Sequence, residues 1–247
     1  MSDTIIFLRK YVPVLASSLL VAFLLVGCER EAEEVEQVEE ETYIGTIVAV
    51  GDSLTAGYGL DEGDAYPAQL QQKLLEDGRK YEVINAGVSG ETTSGTLSRL
   101  NWILTQQPDI VILETGANDG LRGLELSVPR ENISKILKKL EDQGVVTVLT
   151  GMNMVWNLGP QYTSEFNAIY PALAKDYDVV FMPFFLQGVA AVAELNEQDG
   201  IHPNAKGYAV VVENLYPYVI EAIQVLEKRR QETQPGEPEQ AEVVSPE

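Results

Sequence analysis

YIGTIVAVGDSLTAGYG (43–59) runs from an apolar, largely β-branched stretch into a turn that begins at Gly51. Eight residues are too few for a core helix, and apolar side chains at nearly every position read as a strand buried on both faces. The chain then repeats the theme. YPAQLQQKLLEDG (66–78) has Pro near its start and Gly at its end, as a helix does. YEVINAG (81–87) reads as a strand, TTSGTLSRLNWILTQQ (92–107) as a helix and PDIVILETG (108–116) as a third strand. A helix over 129–143, a strand over 145–151, a helix over 163–176, a strand over 178–183 and a closing helix over about 204–227 complete the alternation. Five strands separated by helices, with no internal repeat, predict a parallel sheet between two helical layers: a three-layer α/β/α sandwich. In such sheets functional groups collect at the carboxyl ends of the strands.

Three of those ends carry chemistry-bearing residues. In GDSLTAGYG (51–59), Ser53 stands two residues past the strand. It reads either as a turn serine capping the next helix or as a nucleophile lifted above the sheet edge. A phosphate-binding loop would need Gly-Lys-Ser/Thr, and no lysine occurs there. The G-x-S-x-G elbow fails because Thr55 occupies the second Gly position. NAGVSGET (85–92) offers Gly90, either a backbone-shape requirement or a bare N–H brought close to a ligand. TGANDG (115–120) offers Asn118, whose amide is a turn former or a donor to developing negative charge, and Asp119, which suits bracing of the loops.

The only histidine in the chain, His202, lies in QDGIHPNAKG (198–207), three residues after Asp199. His202 reads either as a lone structural histidine or as a base: a carboxylate within reach at that spacing would fix the imidazole tautomer and leave Nε2 free to take a proton from a serine. One His, one Cys and scattered Asp make a poor ligand set for zinc, so no metal is expected.

Taken together, Gly51-Asp52-Ser53-Leu54, Gly90, Gly116-Ala117-Asn118-Asp119 and Asp199-Gly200-Ile201-His202-Pro203 resemble the four ordered blocks of the SGNH or GDSL hydrolases. GDSLTAGYG, NDGLRG (118–123), AIYPALAK (168–175) and PFF (183–185) are similar to the arylesterase and acyl-CoA thioesterase I/lysophospholipase branch. The resemblance covers nearly all of 43–225 and implies a flavodoxin-like fold. It implies Ser53 as nucleophile, His202 as base and Asp199 as its orienter. It also implies an oxyanion hole of the Ser53 and Gly90 N–H groups and the Asn118 side chain. Ala117 stands where close relatives often have Gly. The implied reaction is acyl transfer from an ester or thioester to water, without metal or cofactor. For the acyl chain, GMNMVWNLGP (151–160) supplies Met152, Met154, Trp156 and Leu158, either as ordinary core or as an adaptable apolar wall. A sugar O-deacetylase of the same family and a non-catalytic binding lipoprotein are the alternatives.

The ends of the chain read differently. Arg9 and Lys10 precede an apolar run that closes on Leu25-Val26-Gly27-Cys28, the pattern of a secretory signal. It resembles a bacterial lipobox, which implies lipidation of Cys28, the only cysteine, and a membrane-anchored place in the cell envelope. Residues 28–42 carry eight Glu against Arg30 and read as a solvated tether, and the polar, Pro-rich 228–247 reads as a disordered tail. That leaves 43–227 as the domain. A formal net charge of −21 argues against nucleic-acid partners and against electrostatic binding to an anionic membrane. The expected partner is a small acyl ester, and the sequence carries no signal for oligomeric state.

Overall fold

The computed structural model describes residues 42–154 and 158–233. Cys28 and all of the 28–42 tether except Thr42 lie outside the described residues, as does Trp156.

Five strands form one parallel sheet: β1 (Gly45–Gly51), β2 (Tyr81–Gly87), β3 (Ile110–Leu113), β4 (Val146–Thr150) and β5 (Val179–Met182), in the order β2-β1-β3-β4-β5. Nine α-helices are described: α1 (Ser53–Ala56), α2 (Tyr66–Glu76), α3 (Thr93–Ser98), α4 (Leu100–Thr105), α5 (Ala117–Leu121), α6 (Ser127–Asp142), α7 (Pro160–Asn167), α8 (Ile169–Asp176) and α9 (Ala205–Thr233). Every residue of β3 and β4 is buried, so helices cover both faces of the sheet, and the α/β sandwich expected from the alternation is the fold observed. The helices meet it through stripes at three- and four-residue spacing: Ile133, Ile136, Leu137 and Leu140 on α6, and Val211, Leu215, Val219, Ala222 and Leu226 on α9. Each fully buried Leu, Ile or Val contributes roughly 1.5–3 kcal/mol relative to leaving it in water.

Register sets up the site. Gly51 pairs with Gly87, and Val50 pairs with both Ala86 and Leu113. The loops that follow β1, β2 and β3 therefore open at the same edge.

Four expectations are corrected. The 92–107 helix is two, α3 and α4, divided at Arg99, whose guanidinium turns back to grip Glu91 at 2.7 and 2.8 Å. The 163–176 helix begins earlier and is also two, α7 and α8, meeting at Ala168. Pro171 has no N–H to return to the Asn167 carbonyl, which ends the continuous ladder there. The third strand stops at Leu113, so Glu114, Thr115 and Gly116 belong to the loop. The closing helix runs on to Thr233, so 228–233 are part of the fold. Arg229 pairs with Asp178 at 2.7 Å, while Arg230 pairs with Asp109 at 2.6 Å and donates to the Ile44 carbonyl at 3.2 Å.

Candidate active site

Ser53 is the first residue of α1, two residues after the Gly51 end of β1. Asp52 caps this short helix, its Oδ1 accepting the Leu54 N–H at 3.0 Å. From below, the buried Tyr208 of α9 donates to the Leu54 carbonyl at 2.8 Å. The turn is thus held from both sides, and the Ser53 hydroxyl faces the loop that precedes α9.

That loop carries His202 and Asp199. Glu197 N–H donates to the His202 carbonyl at 2.7 Å, and an antiparallel bridge joins Asn196 to Pro203. The buried Asn196 amide anchors it by donating to the Val189 and Val192 carbonyls, each at 2.7 Å. His202 Nε2 lies 2.8 Å from Ser53 Oγ, and Nδ1 lies 2.6 Å from Asp199 Oδ2. The other Asp199 oxygen accepts the N–H groups of Ile201 and His202 at 2.9 and 3.0 Å. Hydrogen bonding from the imidazole, then from these two N–H groups, pulls the Asp199 carboxyl down to about 2. It is an anion at any working pH, as an orienting carboxylate must be. The Tyr58 ring lies 4.8 Å from the imidazole, tilted by 41°.

Gly90 has φ +78°, a left-handed conformation that glycine enters without the strain of a Cβ. Its N–H and that of Ser53 donate to no acceptor among the described residues. Asn118, on α5, faces the same space, but its amide is already engaged: Nδ2 donates to Asp52 Oδ2 and to the Glu91 carbonyl, each at 3.0 Å. Asp119 braces the loops as expected. Fully buried, it accepts the Thr93 N–H at 2.8 Å and the Thr93 hydroxyl at 2.6 Å, tying α5 to the start of α3.

A cavity of about 540 Å³ opens over these groups. Ser53, Gly90, Asn118 and His202 line it, with Met152 and Met154 in its wall. Met154 also packs into the core against Gly120, so the two readings of the methionines are both true of it. Leu158 is not in the wall. It is exposed and lies over Gly123, because the chain has by then moved on to the start of α7. Sequence reasoning missed Tyr58, Leu121, Phe184, Leu186 and Ile201 as wall residues. Tyr58 follows α1, Leu121 ends α5, Phe184 and Leu186 follow β5 and Ile201 sits beside His202, so no shared periodicity marks them.

It also missed Glu114. This side chain is fully buried beside Asp52, accepting the Asp52 N–H at 3.2 Å and the Thr55 hydroxyl at 3.0 Å on Oε2. A carboxylate directly after the apolar run IVIL was the available signal.

A parallel α/β sandwich with a hydroxyl–imidazole–carboxylate relay at the carboxyl edge of its sheet defines a hydrolase. The chain belongs to the GDSL-like lipase/acylhydrolase family, which it matches over residues 49–210. It is similar to the esterase TesA of Pseudomonas aeruginosa, at 36% identity across 79% of this chain and 96% of TesA. It is also similar to thioesterase 1/protease 1/lysophospholipase L1 of Escherichia coli strain K12, at 39% identity across 64% of this chain and 76% of that protein. The crystal structure of TesA superposes with a TM-score of 0.69 and 36% identity, covering 72% of this chain and 99% of TesA.

Proposed function

We propose that this esterase hydrolyses carboxylic esters with lipid-like or aryl acyl groups through Ser53, His202 and Asp199. The observation that carries the reading is the unbroken path from Asp199 Oδ2 through both ring nitrogens to Ser53 Oγ, ending under an apolar cavity. Ser53 Oγ attacks the ester carbonyl as its proton passes to His202 Nε2. The negative charge on the carbonyl oxygen meets the unused N–H groups of Ser53 and Gly90. Asn118 adds a third donor by sharing a hydrogen already bound to Asp52 or to the Glu91 carbonyl. His202 then gives its proton to the leaving alcohol oxygen as the C–O bond breaks. A water, deprotonated by His202, attacks the acyl-serine, and the proton returns to Ser53 as the acid departs.

The aliphatic and methionine wall favours an acyl chain over a sugar, whose hydroxyls would find few partners on Met152, Met154, Leu121 and Phe184. We further propose that Cys28 is lipidated and holds the enzyme in the cell envelope. The lipobox-like Leu25-Val26-Gly27-Cys28 supports this, and the intact mass of membrane-extracted protein tests it. In that setting lysophospholipids and other lipid esters are more accessible than acyl-CoA.

Hydrolysis of p-nitrophenyl esters from acetyl to palmitoyl tests the mechanism. Ser53→Ala and His202→Ala should each lower kcat by ~10⁴-fold or more, and turnover should peak above acetyl. A folded wild type that turns over no ester would refute the reading, and an acetyl optimum would favour the deacetylase.

A further inference from the structure

Two buried acids meet beneath the nucleophile. Glu114 is 0% exposed and Asp52 1% exposed, and the Asp52 N–H donates to Glu114 Oε2 at 3.2 Å. Glu114 Oε2 is satisfied by the Asp52 N–H and the Thr55 hydroxyl, but Oε1 is buried with no partner. An ionised carboxylate with one oxygen orphaned in the interior is costly. A proton on the pair removes one charge and supplies a bond that the ionised pair lacks. Asp52 is the better anion of the two. Its Oδ1 accepts the Leu54 N–H and its Oδ2 accepts the Asn118 amide.

We propose that Glu114 is a neutral carboxylic acid that donates its proton to Asp52, and that this acid–carboxylate pair is the positioning device of the oxyanion hole. It acts through Asp52 on two oxyanion donors. The Asp52 carboxylate aims the Asn118 amide, while Glu114 Oε2 holds the Asp52 backbone one residue before the Ser53 N–H. Glu114 touches no reacting atom.

The surroundings favour the neutral form. Burial and the Asp52 charge push the Glu114 carboxyl well above the usual carboxylate range. The phenols of Tyr66 on α2, Tyr170 on α8 and Tyr208 on α9 lie close enough to feel a charge on Glu114, and burial raises all three. His202 acts on Asp52 and favours its charge. Gly51 makes the arrangement possible, since a Cβ there would stand 2.4 Å from Glu114 Oε2. The first glycine of the GDSL block is thus the space into which the acid fits.

The proposal rests on the oxyanion role of Asn118, so the experiment separates the two. Wild type, Glu114→Gln and Glu114→Leu are compared for kcat and KM on one p-nitrophenyl ester, with Ser53→Ala as control. Gln keeps a donor and an acceptor without charge, and kcat should stay within about threefold of wild type. Leu keeps the bulk alone, and kcat should fall ~10–10²-fold with KM little changed, the pattern of an interaction made in the transition state. Infrared difference spectra of wild type minus Glu114→Gln at neutral pH should show the carbonyl stretch of a buried carboxylic acid. That readout holds even if the Leu variant does not fold. Full kcat in a folded Leu variant, a Gln variant as impaired as Leu, or carboxylate bands alone in the infrared would each overturn the proposal. If Ser53→Ala kept activity, the mechanism would fail, while the infrared result would still report on the pair.

Discussion

Gly51→Ala isolates the steric demand of the turn that carries Ser53. Gly51 is not among the residues at positive φ, so alanine strains no backbone dihedral there and its effect comes from contact alone. The new methyl would lie 2.1 Å from Thr55 Oγ1, 2.4 Å from Glu114 Oε2 and 2.6 Å from the Glu114 carbonyl oxygen. The first two contacts displace buried side chains that hydrogen-bond each other at 3.0 Å. The third is against backbone, the carbonyl of the residue that follows β3. Relieving it means parting β1 from the end of β3 by several tenths of an ångström, where Glu114 N–H bonds the Val50 carbonyl at 2.8 Å. Overpacking a tight core costs about 1–3 kcal/mol, and a weakened buried hydrogen bond adds about 1 kcal/mol. We expect a loss of ~3 kcal/mol, and at ~2–4 °C per kcal/mol for a domain of this size, a fall in Tm of ~6–12 °C. Urea unfolding followed by fluorescence measures the first and calorimetry the second. A variant within about 2 °C of wild type would refute the view that Gly51 is glycine for lack of room.

Glu114 also links stability to pH. Its folded-state pKa is raised from an ordinary 4.5, so the protonated side chain contributes fully below that value and the contribution is lost as pH climbs toward the folded pKa. From pH 5 upward wild type should lose stability relative to Glu114→Gln, by at most about 1.4 kcal/mol per pH unit; parallel urea midpoints across that range would contradict this. Truncation after Glu227 removes both arginine pairs and the Arg230 bond to the Ile44 carbonyl. Partly exposed pairs contribute little each, so a loss of ~1 kcal/mol is expected, and an unchanged unfolding midpoint would show 228–233 to be dispensable.

The sequence made the alternation, the strand edge and the Ser53–His202–Asp199 cluster legible, for reasons that differ. The central strands β1, β3 and β4 were plain because both faces are buried, which leaves an apolar residue at nearly every position. Asp199 and His202 were plain because three residues in one short loop bring them together. Glu114 was hidden because its partner, Asp52, is 62 residues away in sequence, and a single acid at the end of an apolar run resembles an ordinary strand terminus. The competing claims on the Asn118 amide were equally out of reach, since a motif records which group is present and not which acceptors it already serves. The divided helices show the limit of periodicity. The apolar spacing passes across Arg99 and Ala168, while an ion pair and a missing N–H break the backbone there. Within the candidate wall, Met152 and Met154 were found and Leu158 was misplaced, because chain direction after β4 is not written in side-chain type.

Asn118, Asp52, Glu114, Glu91 and Arg99 bind one another across the loops after β1, β2 and β3. Part of the cavity wall stands apart from that circuit. Met152, Met154, Phe184 and Leu186 belong to the segments after β4 and β5, which bond each other, α7 and α9, as in Phe185 to Gly151, Met154 to Asn167 and Asn214 to Gln187. Side chains at those four positions can therefore change size or shape without cutting any bond among Asn118, Asp52, Glu114, Glu91 and Arg99.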